Sequence, residues 1–343
     1  MKAAEEISNP FFVAEMSGNH NGSLEAALKI VDALAGTGAH AIKLQTYTPD
    51  TITMDVDSPH FAISDSHPLW GGRKLYDLYS EAHTPWEWHE EIYTRAKSLG
   101  LIAFSTPFDL SAVEFLESLG NPIYKIASIE IGHHPLIAAA AQTNKPIVLS
   151  TGASTLQEVE EAVKVAQANG AGMITLLVCT SDYPARASDA HLARMQTLKN
   201  HFGLEVGLSD HTNGIGVSVA AVTLGATMIE KHVKLTPESE GVDSEFSLSP
   251  AEFQLLVDEA SRARQAVGSP NIWNTESETE SRRLRPSIYV AVDVQPGDLA
   301  SDATIRIARP SGGLEPKEFT AAIGRQFVMP LPKGTPLQWE HLN

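Results

Sequence analysis

A chain of 343 residues, 43% hydrophobic and 20% charged, is long enough for one large domain and a small one, because single cores stop growing near roughly 250 to 300 residues. Its net charge of −17 argues against nucleic acid and anionic membrane as partners, since both need a basic surface, and no apolar run approaches the roughly 18 residues of a membrane span. The start, MKAAEEISNPFF, has neither a basic n-region nor an apolar h-region, and the single Cys179 has no internal partner, so a soluble cytoplasmic protein is expected.

Eight short apolar runs rich in β-branched residues alternate with stretches of helical period. They are FFVAE (11 to 15), AIKLQT (41 to 46), LIAFSTPF (101 to 108), YKIAS (124 to 128), PIVLSTG (146 to 152), MITLLVCTS (173 to 181), EVGLSDH (205 to 211) and MIEKHV (228 to 233). Between them, Leu24, Ala27, Leu28, Val31 and Leu34 share one helix face, and Leu156, Val159, Val163 and Ala166 another. Thr84 with Pro85 and Glu87, Thr155 with Glu158, and Ser249 with Pro250 and Glu252 are spelled as capping boxes. Strands alternating with helices imply a parallel sheet of the α/β class. Eight units in about 270 residues predict a (β/α)8 TIM barrel, with a doubly wound sheet as the alternative that the same spacing permits.

The connection at 47 to 83 is long for such a barrel and reads as a lid or binding loop, with Trp70, Tyr76 and Tyr79 as a wall over substrate; a packing flap without ligand contact is the other reading. After the helix ending near Gly268, a polar, Pro-bounded stretch reads as a linker. The expected organisation is therefore 1–270 barrel, 271–286 linker and 287–343 small β module. In that module Ile288, Val290, Val292 and Val294 alternate at period two, Gln295-Pro296-Gly297-Asp298 makes a turn, and TIRIAR alternates again.

Barrel chemistry takes place where the strands end. Those ends carry Glu15, Lys43 with Gln45, Thr106, Lys125 with Ser128 and Glu130, Ser150, Ser181, Ser209 with His211, and Glu230 with His232. Any single hydroxyl there can be explained as a strand-end cap. The set cannot, because an unpaired lysine inside an apolar strand must deprotonate or find an anion, and there are two, Lys43 and Lys125. A phosphorylated substrate supplies that anion, and Thr106, Ser128, Ser150 and Ser209 complete its cradle. His211 and His232 end successive strands, and two imidazoles with water and substrate oxygens suit Mn2+ or Mg2+ better than a closed zinc site. Glu15 and Glu130 are candidates for acid–base work, or for ion pairs with the lysines. GLSDHTNGIG holds neither a Walker pattern nor GxGxxG, and no nucleophile elbow is present.

Eight motifs in order then resemble the sialic acid synthases over nearly the whole chain: AEMSGNHNGS (14 to 23), KLQTY (43 to 47), FSTPFD (104 to 109), YKIASIE (124 to 130), LSTGAS (149 to 154), CTSDYPA (179 to 185), GLSDHTNGIG (207 to 216) and IEKHV (229 to 233). The C-terminal module resembles the antifreeze-like (SAF) domain of that family, ARPSGG at 308 to 313 standing at its arginine loop. AEMSGNHN and LWGGRKLYDLYSEAHTPWEWH resemble the pseudaminic acid branch more than the N-acetylneuraminate or legionaminic acid branches. The resemblance implies a metal-dependent condensation of phosphoenolpyruvate with an amino-sugar aldehyde, 2,4-diacetamido-2,4,6-trideoxy-L-altrose. It implies that Lys43, Thr106, Lys125, Ser128, Ser150 and Ser209 hold phosphoenolpyruvate. Ser181 joins them where N-acetylneuraminate synthases show Asn in CTNxYP. By the same resemblance His211 and His232 hold the metal, Mn2+ first with Mg2+ or Co2+ as alternatives, Glu15 assists the aldehyde and water, and Gln45, Glu130, Tyr183 and Asp243 line the sugar site. Arg309 reaches the N-acyl group from a partner subunit in a domain-swapped homodimer. Rival readings are a metal-dependent aldolase or isomerase on the same barrel, and a non-catalytic sugar- or ice-binding protein that retains the SAF module.

Overall fold

The computed structural model describes residues 10–65, 69–270 and 275–343. Residues 1–9, on which the reading of the chain's start rests, 66–68 of the long connection and 271–274 of the expected linker lie outside the described residues.

All eight expected strands form: β1 (Phe11–Glu15), β2 (Ala41–Thr46), β3 (Ile102–Pro107), β4 (Tyr124–Ile126), β5 (Ile147–Ser150), β6 (Ile174–Cys179), β7 (Glu205–Asp210) and β8 (Met228–His232). Each pairs in parallel with the next, and β1 pairs with β8, which closes the barrel and removes the doubly wound alternative. Successive side chains on a strand point to opposite faces, so each strand serves two environments. Inside the barrel Val13, Ala41, Phe104, Val148, Leu177 and Met228 pack into an apolar floor. Outside it Phe12, Ile42, Ile126, Leu149, Leu176, Leu208 and Ile229 pack against the helices in the main core. Each such large side chain removed from water contributes about 1.5–3 kcal/mol. The floor fills the lower barrel with hydrocarbon, so polar inward positions are confined to the strand ends above it.

The helices Leu156–Ala168 and Pro250–Val267 start on complete capping boxes, at Thr155 with Glu158 and at Ser249 with Glu252. Thr84 does not cap. It is buried with its hydroxyl engaged by the His20 ring at 3.1 Å, and the chain enters the helix His89–Ser98 through a 3-10 turn at Trp86–Trp88. The local spelling loses there because a tertiary partner already holds the hydroxyl.

Contacts divide the chain between Gly268 and Ser269. In the second unit β9 (Ser287–Val290) pairs antiparallel with β10 (Ile305–Ala308) over a core that includes Ile288, Val290, Val294, Ile305, Phe327 and Leu337. The expected alternation breaks at Val292, which is 45% exposed because the strand ends at Val290. The turn at 295–298 forms, with Asp298 accepting from the Gln295 amide at 2.7 Å and Gly297 at φ 95°. Part of the stretch read as linker is helical: Thr275 and Glu278 cap a turn at Glu276–Glu278 that runs into a short helix at Thr279–Arg283. Among the described residues no helix is long and apolar enough to cross a membrane.

Candidate active site

The inward-facing ends of β1, β2, β3, β4 and β8 build a charged layer directly on the apolar floor. Glu15, Lys43, Thr106, Lys125 and Glu230 are all buried. Lys43 pairs with Glu15, donates to Thr106 Oγ1 at 3.0 Å and stands 4.0 Å from Glu230 Oε2. Lys125 donates to Glu230 Oε1 at 2.8 Å, and Ser209 donates to the same oxygen at 2.9 Å. The expectation of lysines left to seek an external anion is therefore corrected: each already faces a carboxylate. Burial raises both acids, but Lys125 and Lys43 outweigh it at Glu230 and hold that carboxyl at about 2. At Glu15 burial prevails over Lys43 and lifts the carboxyl to about 6. One carboxylate is thus permanently charged and the other is close to neutralisation.

β7 and β8 bring the imidazoles together. The rings of His211 and His232 lie 5.2 Å apart at 65°, and Gly207 permits this approach of the two strands, since a Cβ there would stand 2.2 Å from Met228 O. His211 Nδ1 is 3.0 Å from Thr180 O, an N–H donation that leaves Nε2 as the acceptor. His232 Nδ1 has no hydrogen-bond partner and lies 3.9 Å from Asp243 Oδ2. Burial, His211 and Lys43 keep His232 well below its ordinary value, hence neutral. Tyr183 packs on His211 with centroids 4.4 Å apart, and Phe246 packs on His232 at 5.0 Å. Ser17 donates to Asp243 and accepts from Gln45 Nε2 at 3.0 Å, and Gln45 also donates to Glu15 Oε1 at 3.1 Å, so a hydrogen-bonded chain runs from Asp243 to Glu15.

Buried polar atoms almost always have a partner. Here Ser150 Oγ, Ser181 Oγ, Glu130 Oε2, Glu230 Oε2 and His232 Nδ1 have none, and all five belong to strand ends or the loops that follow them. Gly152 sits among the hydroxyls, donating its amide to Ser128 Oγ at 3.0 Å; a Cβ on it would fall 2.5 Å from Ser181 Oγ and 2.8 Å from Ser128 Oγ. Orphaned donors and acceptors around an uncrowded backbone form the cradle that a small polar ligand requires.

Comparison with known proteins agrees. The NeuB family matches residues 30–271, and the SAF domain matches residues 285–343. The chain belongs to the NeuB family. It is 39% identical to a pseudaminic acid synthase of Campylobacter jejuni, covering 96% of this chain and 95% of that one. It is 40% identical to the pseudaminic acid synthase of Helicobacter pylori, covering 98% and 99%. Among solved structures it is similar to the N-acetylneuraminic acid synthetase of Leptospira borgpetersenii, at 32% identity and a TM-score of 0.70, covering 80% of this chain and 90% of that one.

In this NeuB-family barrel, then, Glu15, Lys43, Gln45, Thr106, Lys125, Ser209, His211, His232 and Asp243 are joined by direct contacts, with Ser128 and Ser181 meeting at Gly152 and Tyr183 on His211. Glu130 lies on the 3-10 turn Ser128–Gly132 after β4, where burial pushes its carboxyl to about 7. Arg309 belongs to the second unit, exposed in the loop after β10. Within the long connection Trp70 stacks toward Tyr183 at 5.8 Å and donates to Val242 O at 3.1 Å, while Tyr79 packs on Tyr47 at 5.7 Å. The Tyr76 hydroxyl donates to Asp50 of the same segment.

Three residues of the site had been given no role. Glu230 balances both lysines, and its inward parity with His232 in IEKHV was the available signal. Ser17, at φ 47°, and Phe246 had none, because their roles depend on contacts across more than 200 positions and on packing between loops. Two imidazoles with free ring nitrogens fit a divalent ion that takes its other ligands from water or substrate. Among the described residues no group of three or more His, Cys, Asp or Glu is arranged to hold one by itself.

Proposed function

We propose that this chain is a pseudaminic acid synthase, joining phosphoenolpyruvate, 2,4-diacetamido-2,4,6-trideoxy-L-altrose and water into pseudaminic acid and phosphate. The observation that carries the reading is the 39–40% identity, over nearly the full length, to pseudaminic acid synthases, against 35–36% to N,N'-diacetyllegionaminic acid synthases. The site supports it through a buried lysine pair with unpartnered hydroxyls at one side of the mouth and, at the other, the paired imidazoles of His211 and His232, of which His232 is held neutral.

In this reading Lys43 and Lys125, with Thr106, Ser128, Ser150, Ser181 and Ser209, hold the phosphate and carboxylate of phosphoenolpyruvate. They stabilise its charge with groups already fixed in place, so little reorganisation accompanies the reaction. The enol C3 forms a bond to the aldehyde carbon, and the aldehyde oxygen takes a proton. Glu130, lifted to about 7 by burial, is still partly protonated at neutral pH and supplies it. Water then adds at C2 and Glu15 receives one of its protons; the C2 hydroxyl collapses to the carbonyl as the C2–O bond to phosphate breaks, its proton leaving with the phosphate. Glu15 suits that task because at about 6 it is mostly ionised at neutral pH yet accepts a proton readily. Tyr183 and Phe246 exclude bulk water, and Gln45 and Asp243 orient the sugar. A divalent ion, Mn2+ before Mg2+ or Co2+, would be held by His211 and His232 and would supply Lewis acidity toward the aldehyde oxygen. The same proposal includes a homodimer in which Arg309 of one copy recognises the N-acyl group of sugar bound to the other. Sedimentation tests the assembly, and a raised sugar KM in Arg309→Ala tests the contact.

Phosphate release from phosphoenolpyruvate with a panel of amino-sugars, with and without chelator and with mass analysis of the product, tests the whole. Fastest turnover with the diacetamido-altrose, lost on chelation, is expected. Turnover without consumption of phosphoenolpyruvate would favour an aldolase or isomerase, and no turnover in metal-loaded protein a binding protein.

A further inference from the structure

The outward-facing positions of the eight strands are apolar or uncharged at every place but two. Asp210 on β7 and Lys231 on β8 are both charged and both essentially inaccessible, at 1% and 0% exposure. They lie in the layer between strands and helices, on the side away from the mouth that their neighbours Ser209, His211, Glu230 and His232 line. Lys231 Nζ stands 3.1 Å from Asp210 Oδ2 and also donates to the backbone carbonyl of Thr212. Asp210 Oδ1 accepts from the Thr212 amide at 2.8 Å and from its hydroxyl at 2.7 Å, and Oδ2 accepts from Ser218 Oγ at 2.6 Å, on the helix Gly216–Thr223.

An ion pair buried this deeply is seldom a net source of stability, because desolvating two charges costs about what their attraction returns and apolar residues of similar volume often serve as well. What this pair does hold is backbone. Asp210 and Thr212 flank His211 on both sides, Lys231 immediately precedes His232, and the pair ties all of them to one another and to a helix. The carbonyl of His211 is fixed as well, by the Ala185 amide at 3.0 Å.

We propose that Asp210 and Lys231 are positioning residues that set the mutual orientation of the His211 and His232 imidazoles from behind the strands. The inference deepens the proposed function, since it rests on those imidazoles being the metal-holding pair. Neither residue touches substrate. Both act through the strand ends, so their removal changes the imidazoles while leaving the cluster of Lys43, Lys125 and Glu230 in place.

The test is the double variant Asp210→Asn with Lys231→Met, which removes both charges together and leaves no lone buried ion. Histidine-ring NMR of the metal-free protein, with His211 and His232 assigned from single His→Gln variants, should show both signals displaced in a protein whose fold and phosphoenolpyruvate binding are retained. Mn2+ affinity read by electron paramagnetic resonance should fall by about tenfold or more, as for other groups that orient metal-holding histidines. Turnover should fall in kcat at nearly constant KM for phosphoenolpyruvate, and Lys231→Arg, which keeps the cation, should recover part of it. Unchanged ring signals in the folded double variant overturn the inference. If the unaltered protein binds no Mn2+, the metal reading fails by itself, and displaced ring signals still uphold the positioning role. Should the double variant not fold, Ser218→Ala removes only the helix tether; displaced imidazole signals there support the inference, and unmoved ones overturn it.

Discussion

The two sides of the barrel mouth solve opposite electrostatic problems. On the lysine side Lys43, Lys125, Glu15 and Glu230 form a balanced set of two cations and two carboxylates, all buried and mutually bonded. On the histidine side His232 Nδ1 is an unpartnered nitrogen, and the nearest carboxylate oxygen, Asp243 Oδ2, is 3.9 Å away and engaged by Ser17. On the first side hydroxyls such as Ser150 and Ser181 lack partners, but the charges are balanced without ligand. The second is incomplete and gains by accepting one. In a chain of net charge −17 the two cations of the mouth are thus buried against carboxylates and not displayed on a basic surface.

Breaking the balanced side should give the largest effect. Glu230→Leu leaves two buried lysines short of a counter-charge and should lower unfolding stability by about 3–5 kcal/mol in urea titrations. Added inorganic phosphate should recover part of that loss in the variant and little in the parent. Absence of any such recovery would separate Glu230 from the anion site. On the histidine side, His232→Ala should change folding stability far less but reduce metal-dependent phosphate release at least about a hundredfold, some 2.7 kcal/mol of barrier. Undiminished turnover removes the metal assignment.

Glu130 sharpens the contrast through pH. Its folded value, about 7, lies above the ordinary 4.5, so the folded state favours the protonated form. The stability this contributes is complete below pH 4.5 and is lost as pH rises through 7. Glu130→Gln should consequently be the more stable protein by about 3 kcal/mol near pH 8, with the advantage gone near pH 4, in paired urea titrations. The smallest effect is expected at Ser150. Its orphaned hydroxyl costs stability until a ligand arrives, so Ser150→Ala should gain about 1 kcal/mol in the free protein while raising KM for phosphoenolpyruvate. A variant that gains stability without losing affinity would place Ser150 outside the cradle.

The barrel was legible because its signals are local and repeated. Eight apolar runs between helical faces state strand count and direction, and period two within AIKLQT or IEKHV already says which residue of each pair faces inward. That parity is why most of the candidate site could be named from strand ends. Where a local signal met a tertiary partner the partner prevailed, as at Thr84, whose hydroxyl serves His20 instead of a helix start. Val292 shows the same limit: the alternation in sequence outlasts the strand, because pairing with β10 stops supporting it beyond Val290.

By itself the sequence determined the α/β barrel, the separate β module, the family and the roster of charged and hydroxylic groups at the mouth, since each follows from periodicity or from motifs within a few positions. Only the tertiary structure decided who pairs with whom. That Glu15 answers Lys43 while Glu230 answers Lys125, that Ser17 meets Asp243, and that Asp210 and Lys231 share a dry layer behind the imidazoles all depend on atoms brought within about 4 Å by closure of the barrel. Coulombic and hydrogen-bonding energies are set by distance and burial, and no spacing along a chain states either until the strands have met.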